Sequence, residues 1–282
     1  MKTMRQKGFL LLVGLLICLL SWAQSADTEQ KEKTQFKIGL NYNSNLNYYG
    51  RTDSLRSSGF FPLAELWFNE SVYFNAAPIF VNNKKSSFDY AGTVASAGYL
   101  FNTNDKWLGN FYFLKPFYKE SSELVQSALK AQAGMTLTWM NEVINITGGA
   151  DIKFSDKTDL GIMASLDHLF RSQLDDKSVL VIDPSVSLNA GTQQFTKSYL
   201  KKATGPLPFP GNDQLVTESA QKFSILSYEL SMPVVFARGK FQLLITPAYV
   251  IPQNLITIEN RPDLSERGKE MFYTTIGFKF VL

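Results

Sequence analysis

Apolar and polar residues trade places at every step along much of this chain. From Gln35 to Tyr48, one parity carries Phe36, Ile38, Leu40, Tyr42, Leu46 and Tyr48. The other carries Gln35, Lys37, Gly39, Asn41, Asn43, Asn45 and Asn47. A strand turns successive side chains to opposite faces, so this segment has one greasy face and one amide-rich face. The split recurs where Leu129, Ala131, Ala133, Met135, Leu137 and Trp139 oppose Lys130, Gln132, Gly134, Thr136 and Thr138. It recurs again over 143–154 and at the end of the chain, where Ile276, Phe278, Phe280 and Leu282 oppose Thr275, Gly277 and Lys279.

Runs of this kind predict about twelve strands, with ten or fourteen as the bounds, each of roughly 9–15 residues, the length a tilted membrane-crossing strand needs. They fall near 35–49, 59–69, 71–82, 88–101, 107–118, 126–140, 143–155, 159–170, 179–192, 222–237, 240–251 and 271–282. Connection length tests the idea independently, because barrels of the outer membrane carry short turns at one end and long loops at the other. Tight links at 69–71, 102–106, 141–142 and 238–240 alternate with longer ones at 50–58, 119–125, 193–221 and 252–270. The links at 156–158 and 171–178 break the alternation. A soluble sandwich shows the same period, but its strands run to about 5–6 residues. Aromatics also crowd the strand ends (Tyr48, Tyr49, Phe60, Phe61, Tyr99, Phe101, Phe170, Phe236, Tyr249), as interfacial girdles do. Pro62, Pro78, Pro116, Pro184, Pro233 and Pro247 fall inside these strands and are expected at bulges or strand ends.

The start of the chain is different. Lys2, Arg5 and Lys7 precede an apolar run from Phe9 to Leu20 and then Ser21-Trp22-Ala23. That order describes a secretory signal peptide over 1–23, cleaved after Ala23, followed by a flexible polar leader over 24–34 and a barrel domain over 35–282. Cys18 is no lipobox cysteine, since Ile17 stands where a small residue is required. The three leader bases belong to a total of 28 Lys and Arg against 25 Asp and Glu, so the mature chain balances at 25 of each. A neutral chain gives no electrostatic case for nucleic acid. One Cys and one His exclude a disulfide framework and a Cys/His zinc cluster, and no Gly-rich phosphate loop appears, so no cofactor is expected.

The leader ending Ser21-Trp22-Ala23-Gln24, the Asn-rich first strand and the terminal Met271–Leu282 together resemble an outer-membrane β-barrel protein of the Bacteroidota type. The resemblance implies an all-β, transmembrane, antiparallel up-and-down barrel in a Gram-negative outer membrane, reached by Sec export. The last strand resembles the signal read by the barrel-assembly machinery, although it ends in Leu282 with the aromatic Phe280 two residues earlier.

On this register the candidate lumen-lining residues are Lys37, Asn41, Asn43, Glu65, Lys115, Lys130, Asp151, Lys153, Asp167, Asp183, Glu229 and Lys279. Their five bases and five acids predict a narrow porin-like channel for small polar solutes with little charge selectivity. Leu63, Trp67, Phe111, Phe113, Phe117, Leu244 and Val250 share that parity, which means a partly plugged lumen or a slipped register. The Pro/Gly-rich stretch around Leu207 and Phe209 is a candidate constriction loop. Lys84-Lys85 and Lys201-Lys202 are either solvated charges or contacts for lipopolysaccharide phosphates and other outer-membrane lipids. The alternative is a closed barrel that acts through its outer loops. An outer-membrane hydrolase comes third: it needs a base beside a serine, and only His168 is available, without a serine two residues on. No catalytic residue is expected.

Overall fold

In the computed structural model, residues 34–122, 124–194, 222–257 and 265–282 are described. The signal peptide over 1–23, the polar leader over 24–34 except Thr34, and the Leu207/Phe209 stretch with Lys201-Lys202 lie outside them. The described chain closes into a twelve-stranded antiparallel barrel in up-and-down order. Its strands are β1 (Gln35–Asn43), β2 (Ser58–Phe68), β3 (Val72–Asn82), β4 (Asp89–Thr103), β5 (Trp107–Tyr118), β6 (Ala131–Trp139) and β7 (Asn145–Phe154). There follow β8 (Thr158–Asp167, continuing as Phe170–Asp175), β9 (Ser178–Ile182, continuing as Ser185–Gly191) and β10 (Ser224–Ser231, continuing as Val234–Arg238). Finally β11 (Phe241–Pro252) and β12 (Met271–Val281) close the ring, β12 pairing with both β11 and β1. A line drawn across the hydrogen bonds all the way round comes back to β1 displaced by about 16 residues. That stagger tilts the strands by about 40° and sets a backbone-to-backbone diameter of about 25 Å.

Three boundaries differ from the sequence expectation. β1 ends at Asn43, because the chain then folds into a small hairpin, Asn47–Tyr48 with Arg51–Thr52. The sixth strand starts at Ala131, after a 3-10 turn over Val125–Ala128. The irregular link at 171–178 is largely strand: β8 runs on to Asp175 and pairs with β9, leaving a tight turn between Asp175 and Ser178. One end therefore carries only short turns, and the other carries the longer loops together with the tight link over 155–157. Two turns at the first end, Asn69-Glu70 and Asn104-Asp105, have both central residues at positive φ, the turn whose twist matches a hairpin.

Pro184 and Pro233 stand where their strands are interrupted, between Ile182 and Ser185 and between Ser231 and Val234, whereas Pro62, Pro78, Pro116 and Pro247 lie inside strands. Pro62 and Pro78 occupy opposing places in the β2–β3 ladder, in a gap between the pairs Phe60–Phe80 and Ala64–Ala76. One gap thus absorbs two missing donors. On the other side of the barrel Pro184, Pro233 and Pro247 lie on adjacent strands. Their carbonyls accept from the N–H of His168 (3.2 Å), Asp183 (2.9 Å) and Met232 (3.0 Å) respectively. A proline cannot return the reciprocal bond, so each rung keeps one of its two hydrogen bonds and the register is unchanged across it. Register shifts fall at Ile79/Phe80, just past Pro78, at Gln173/Asp175 and at Asn189/Ala190.

Polarity is inverted relative to a soluble barrel. The exposed outer face carries Ile38, Leu40, Phe74, Ile146, Ile152, Ile162, Leu166, Val186 and Phe278. Exposed aromatics gather in two belts. Phe68, Trp107, Trp139, Phe241 and Phe280 lie near the short turns, and Phe88, Tyr90, Phe117, Phe154 and Phe272 near the long loops. The ladder places these belts about 23 Å apart, close to the apolar height of a membrane barrel.

Candidate functional site

The inner wall between the belts is rich in hydroxyl and amide groups, with Leu63, Trp67, Leu244 and Val250 also turned inward among them. Its side chains bond across neighbouring strands: Thr138 to Thr147 (2.8 Å), Ser185 to Ser231 (2.8 Å), Ser187 to Ser165 (3.0 Å) and Asn189 to Ser227 (3.2 Å). Asn43 of β1 bonds Thr275 of β12 (3.1 Å) across the closing seam, and the Tyr73 hydroxyl donates to Asn110 (3.3 Å). Asn75 and Ser96 meet in the same way. Such a wall offers donors and acceptors to water or to any small hydroxylated solute.

Charged groups on that wall form two opposed patches near the short-turn end. On β12, β1 and β2, Lys279 donates to both oxygens of Glu65 (3.0 and 3.1 Å). Lys37 there sits 4.6 Å above the Trp67 ring. At the same depth on β7, β8 and β9, Asn145 donates to Asp167 (2.7 Å), and Asp183 lies against Asp167. Nearer the long loops, Lys153 pairs with Asp151, and the buried Asp159 accepts from the Thr192 hydroxyl and the Gln194 N–H, both at 2.6 Å. Glu229 meets the hydroxyl of Tyr273. Asn41 lies on the inward parity of β1, its amide beside Gly277 of β12.

Two proposed lumen residues are not inside. Lys115 is exposed on the outer face of β5, its ammonium 5.5 Å from the Phe117 ring, and Phe111, Phe113 and Phe117 point outward with it. The lysine misled the parity: near a strand end its long apolar stem lies along the greasy surface while the charge reaches the edge. Lys130 precedes β6 and pairs with Asp156 at the rim (2.9 Å), both largely exposed. Asp159 was missed because β8 begins one residue before it, beside a turn with no distinguishing signal. Between the belts the described inner wall therefore carries Lys37, Lys153 and Lys279 against Glu65, Asp151, Asp159, Asp167, Asp183 and Glu229. Among the described residues Asp167, Asp183 and Glu229 take part in no ion pair.

The long-loop mouth is crossed by the first loop, residues 44–57. Its hairpin turns at Tyr49-Gly50, both at positive φ, and Gly50 is packed so closely that a β-carbon there would stand 2.9 Å from Pro252. Arg51, only 1% exposed, anchors it. Its guanidinium donates to Glu266 Oε1 (3.1 Å) and to the carbonyls of Tyr49 (3.1 Å), Leu226 (3.1 Å) and Gln253 (3.0 Å). Thr52 N–H adds a bond to the Arg267 carbonyl (2.7 Å). The same loop reaches the far wall, where Tyr48 packs on Val125 and Tyr49 lies in the field of Asp151 and beside Tyr112. Burial pushes both phenols well above their ordinary range, with Asp151 adding to the effect, so they stay neutral at physiological pH. No sequence pattern marked Arg51: it stands in a loop, and its four acceptors are scattered along the chain.

His168 lies near the short turns. Its Nδ1 is 2.6 Å from the Val143 carbonyl, and its ring meets Phe170 edge-on at 4.2 Å. The ring nitrogen is thus engaged by backbone rather than by a serine.

These features define the class of molecule: a closed antiparallel barrel, apolar outside and polar within, with one loop folded into its mouth. No known family profile and no curated protein matches the sequence. Among solved structures, the chain is similar to the KdgM porin at 7% identity and a TM-score of 0.46, over 86% of this chain and 98% of that one. It is similar to the NanC porin at 9% identity and a TM-score of 0.44, over 88% and 100%. A COG4313 outer membrane channel from Pseudomonas putida F1 is similar at 10% identity and a TM-score of 0.45, over 92% and 100%.

Proposed function

We propose that this chain is an outer-membrane β-barrel that admits small polar solutes through a narrow, hydrogen-bonding lumen. The observation that carries the reading is the inverted polarity: apolar belts outside and an inner wall rich in hydroxyl, amide and charged groups. Export behind a signal peptide cleaved near Ala23, and folding by the barrel-assembly machinery through the last strand, belong to the same proposal. So does contact of the Lys84-Lys85 loop with lipopolysaccharide.

The constriction is the first loop, held across the mouth by Arg51. With Lys115 and Lys130 off the inner wall, three ammonium groups face six carboxylates among the described residues. A narrow low-dielectric passage focuses such an imbalance, so the channel favours cations over anions. A second reading, a barrel closed at rest, is favoured by the burial of Arg51 and Tyr48. A salt gradient across a planar bilayer holding the refolded mature protein tests both. Steps with a reversal potential toward the cation support the channel and its selectivity. Steps with no preference remove the selectivity alone, and insertion without steps supports the closed barrel.

A further inference from the structure

One concavity lies on the outer face rather than in the lumen. It is an apolar groove of about 500 Å3 between β5, β6 and β7, lined among others by Trp107, Trp139, Met135, Ile146, Gly148 and Ala150. Its floor is low because Gly148 has no side chain where its neighbours do, and a β-carbon there would meet nothing within 4 Å. The groove begins at the paired Trp107 and Trp139 and runs to the rung that pairs Met135 with Ala150. The four residue steps from Met135 to Trp139 along β6 give it a length of about 13 Å. At its short-turn end two turns touch, the Met140 N–H donating to the Lys106 carbonyl at 2.7 Å. Exposed Lys106 and exposed Glu142 flank that contact, and neither has an ion-pair partner among the described residues.

We infer that this groove is a binding site for one phospholipid with a zwitterionic amine headgroup, taken from the leaflet on the short-turn side. The inference rests on the membrane-barrel reading. An acyl chain lies along Gly148 and Ala150. The two indoles stand at the interface, where their N–H groups meet water and ester oxygens. Lys106 takes the phosphate and Glu142 the ammonium, a pairing of charges that neither a neutral lipid nor a simple anion satisfies.

Tryptophan fluorescence tests this in the mature protein, whose tryptophans are then Trp67 on the inner wall and the two at the groove. The protein is refolded into phosphatidylcholine vesicles containing a small fraction of phosphatidylethanolamine brominated on its chains. Quenching several-fold beyond that expected from the bromolipid fraction is the predicted result. Gly148→Leu, which fills the groove from the lipid side, brings quenching down to the bulk value, and Lys106→Gln removes the headgroup preference. Wild-type quenching that simply follows the bromolipid fraction overturns the site. Quenching that disappears as protein-to-lipid ratio rises shows a second copy in the groove and overturns it too. No quenching by any bromolipid at any fraction contradicts the membrane reading itself.

Discussion

Four acceptors surround the guanidinium of Arg51, and three of them belong to segments far along the chain at Leu226, Gln253 and Glu266. Removing the guanidinium takes that partner from Glu266 and three backbone bonds from the loop, so the first loop loses its anchor. The barrel ladder does not depend on it. Arg51→Ala is therefore expected to give larger and noisier single-channel steps while the folded band on an unheated gel persists. A second residue-scale prediction concerns selectivity. Asp167→Asn with Asp183→Asn deletes the carboxylates opposite Lys37 and Lys279, and the reversal potential in a salt gradient is expected to move toward the anion. Both variants read out on the wall rather than on folding, because Asn keeps the volume and most of the hydrogen bonding of Asp. The charges were legible in the sequence one by one, but their balance was not. A single lysine at a strand end reversed the parity assigned to β5, although Trp107, Phe111, Phe113 and Phe117 on the same side argued for lipid.

Strands were the most legible elements, since a period of two with one greasy face survives any error of a few residues at the ends. The kinked strands were harder. β8, β9 and β10 each appear cut near a proline or beside one, and only the constant register on both sides shows that each is one strand. Sequence cannot reveal that Pro184, Pro233 and Pro247 stand on neighbouring strands, because their adjacency exists only once the barrel closes. The loss at each rung is one hydrogen bond, so Pro184→Val, which can return a bond to His168, is expected to stabilise the barrel by about 1 kcal/mol. Unfolding in urea from detergent micelles measures this. The inward hairpin makes a complementary case. Gly50 sits at a φ of 77° against Pro252, so Gly50→Ala strains the turn and crowds its neighbour. Its expected phenotype is that of a loosened first loop, with raised conductance and an intact barrel. The loop expected to constrict the lumen, around Leu207 and Phe209, was chosen for length and composition. That stretch lies outside the described residues; among those described, a shorter loop anchored by the buried Arg51 crosses the mouth.

At the scale of the whole molecule, twelve strands and a stagger of about 16 residues leave a passage between a filled eight-strand barrel and an open porin. Inner side chains and the first loop narrow it further. The outside presents two aromatic belts and an apolar band, while the inside holds its polar groups in cross-strand bonds rather than in a packed core. That arrangement suits hydrocarbon outside and water inside, the setting in which passage through the lumen is proposed. The measurement that tests this most directly is the current through the refolded mature protein in a planar bilayer under a salt gradient. Small, steady steps with a cation-directed reversal potential, enlarged by Arg51→Ala, are the predicted result. A barrel that inserts fully, shown by its heat-sensitive gel mobility, yet carries no current with Arg51 present or replaced would contradict the channel.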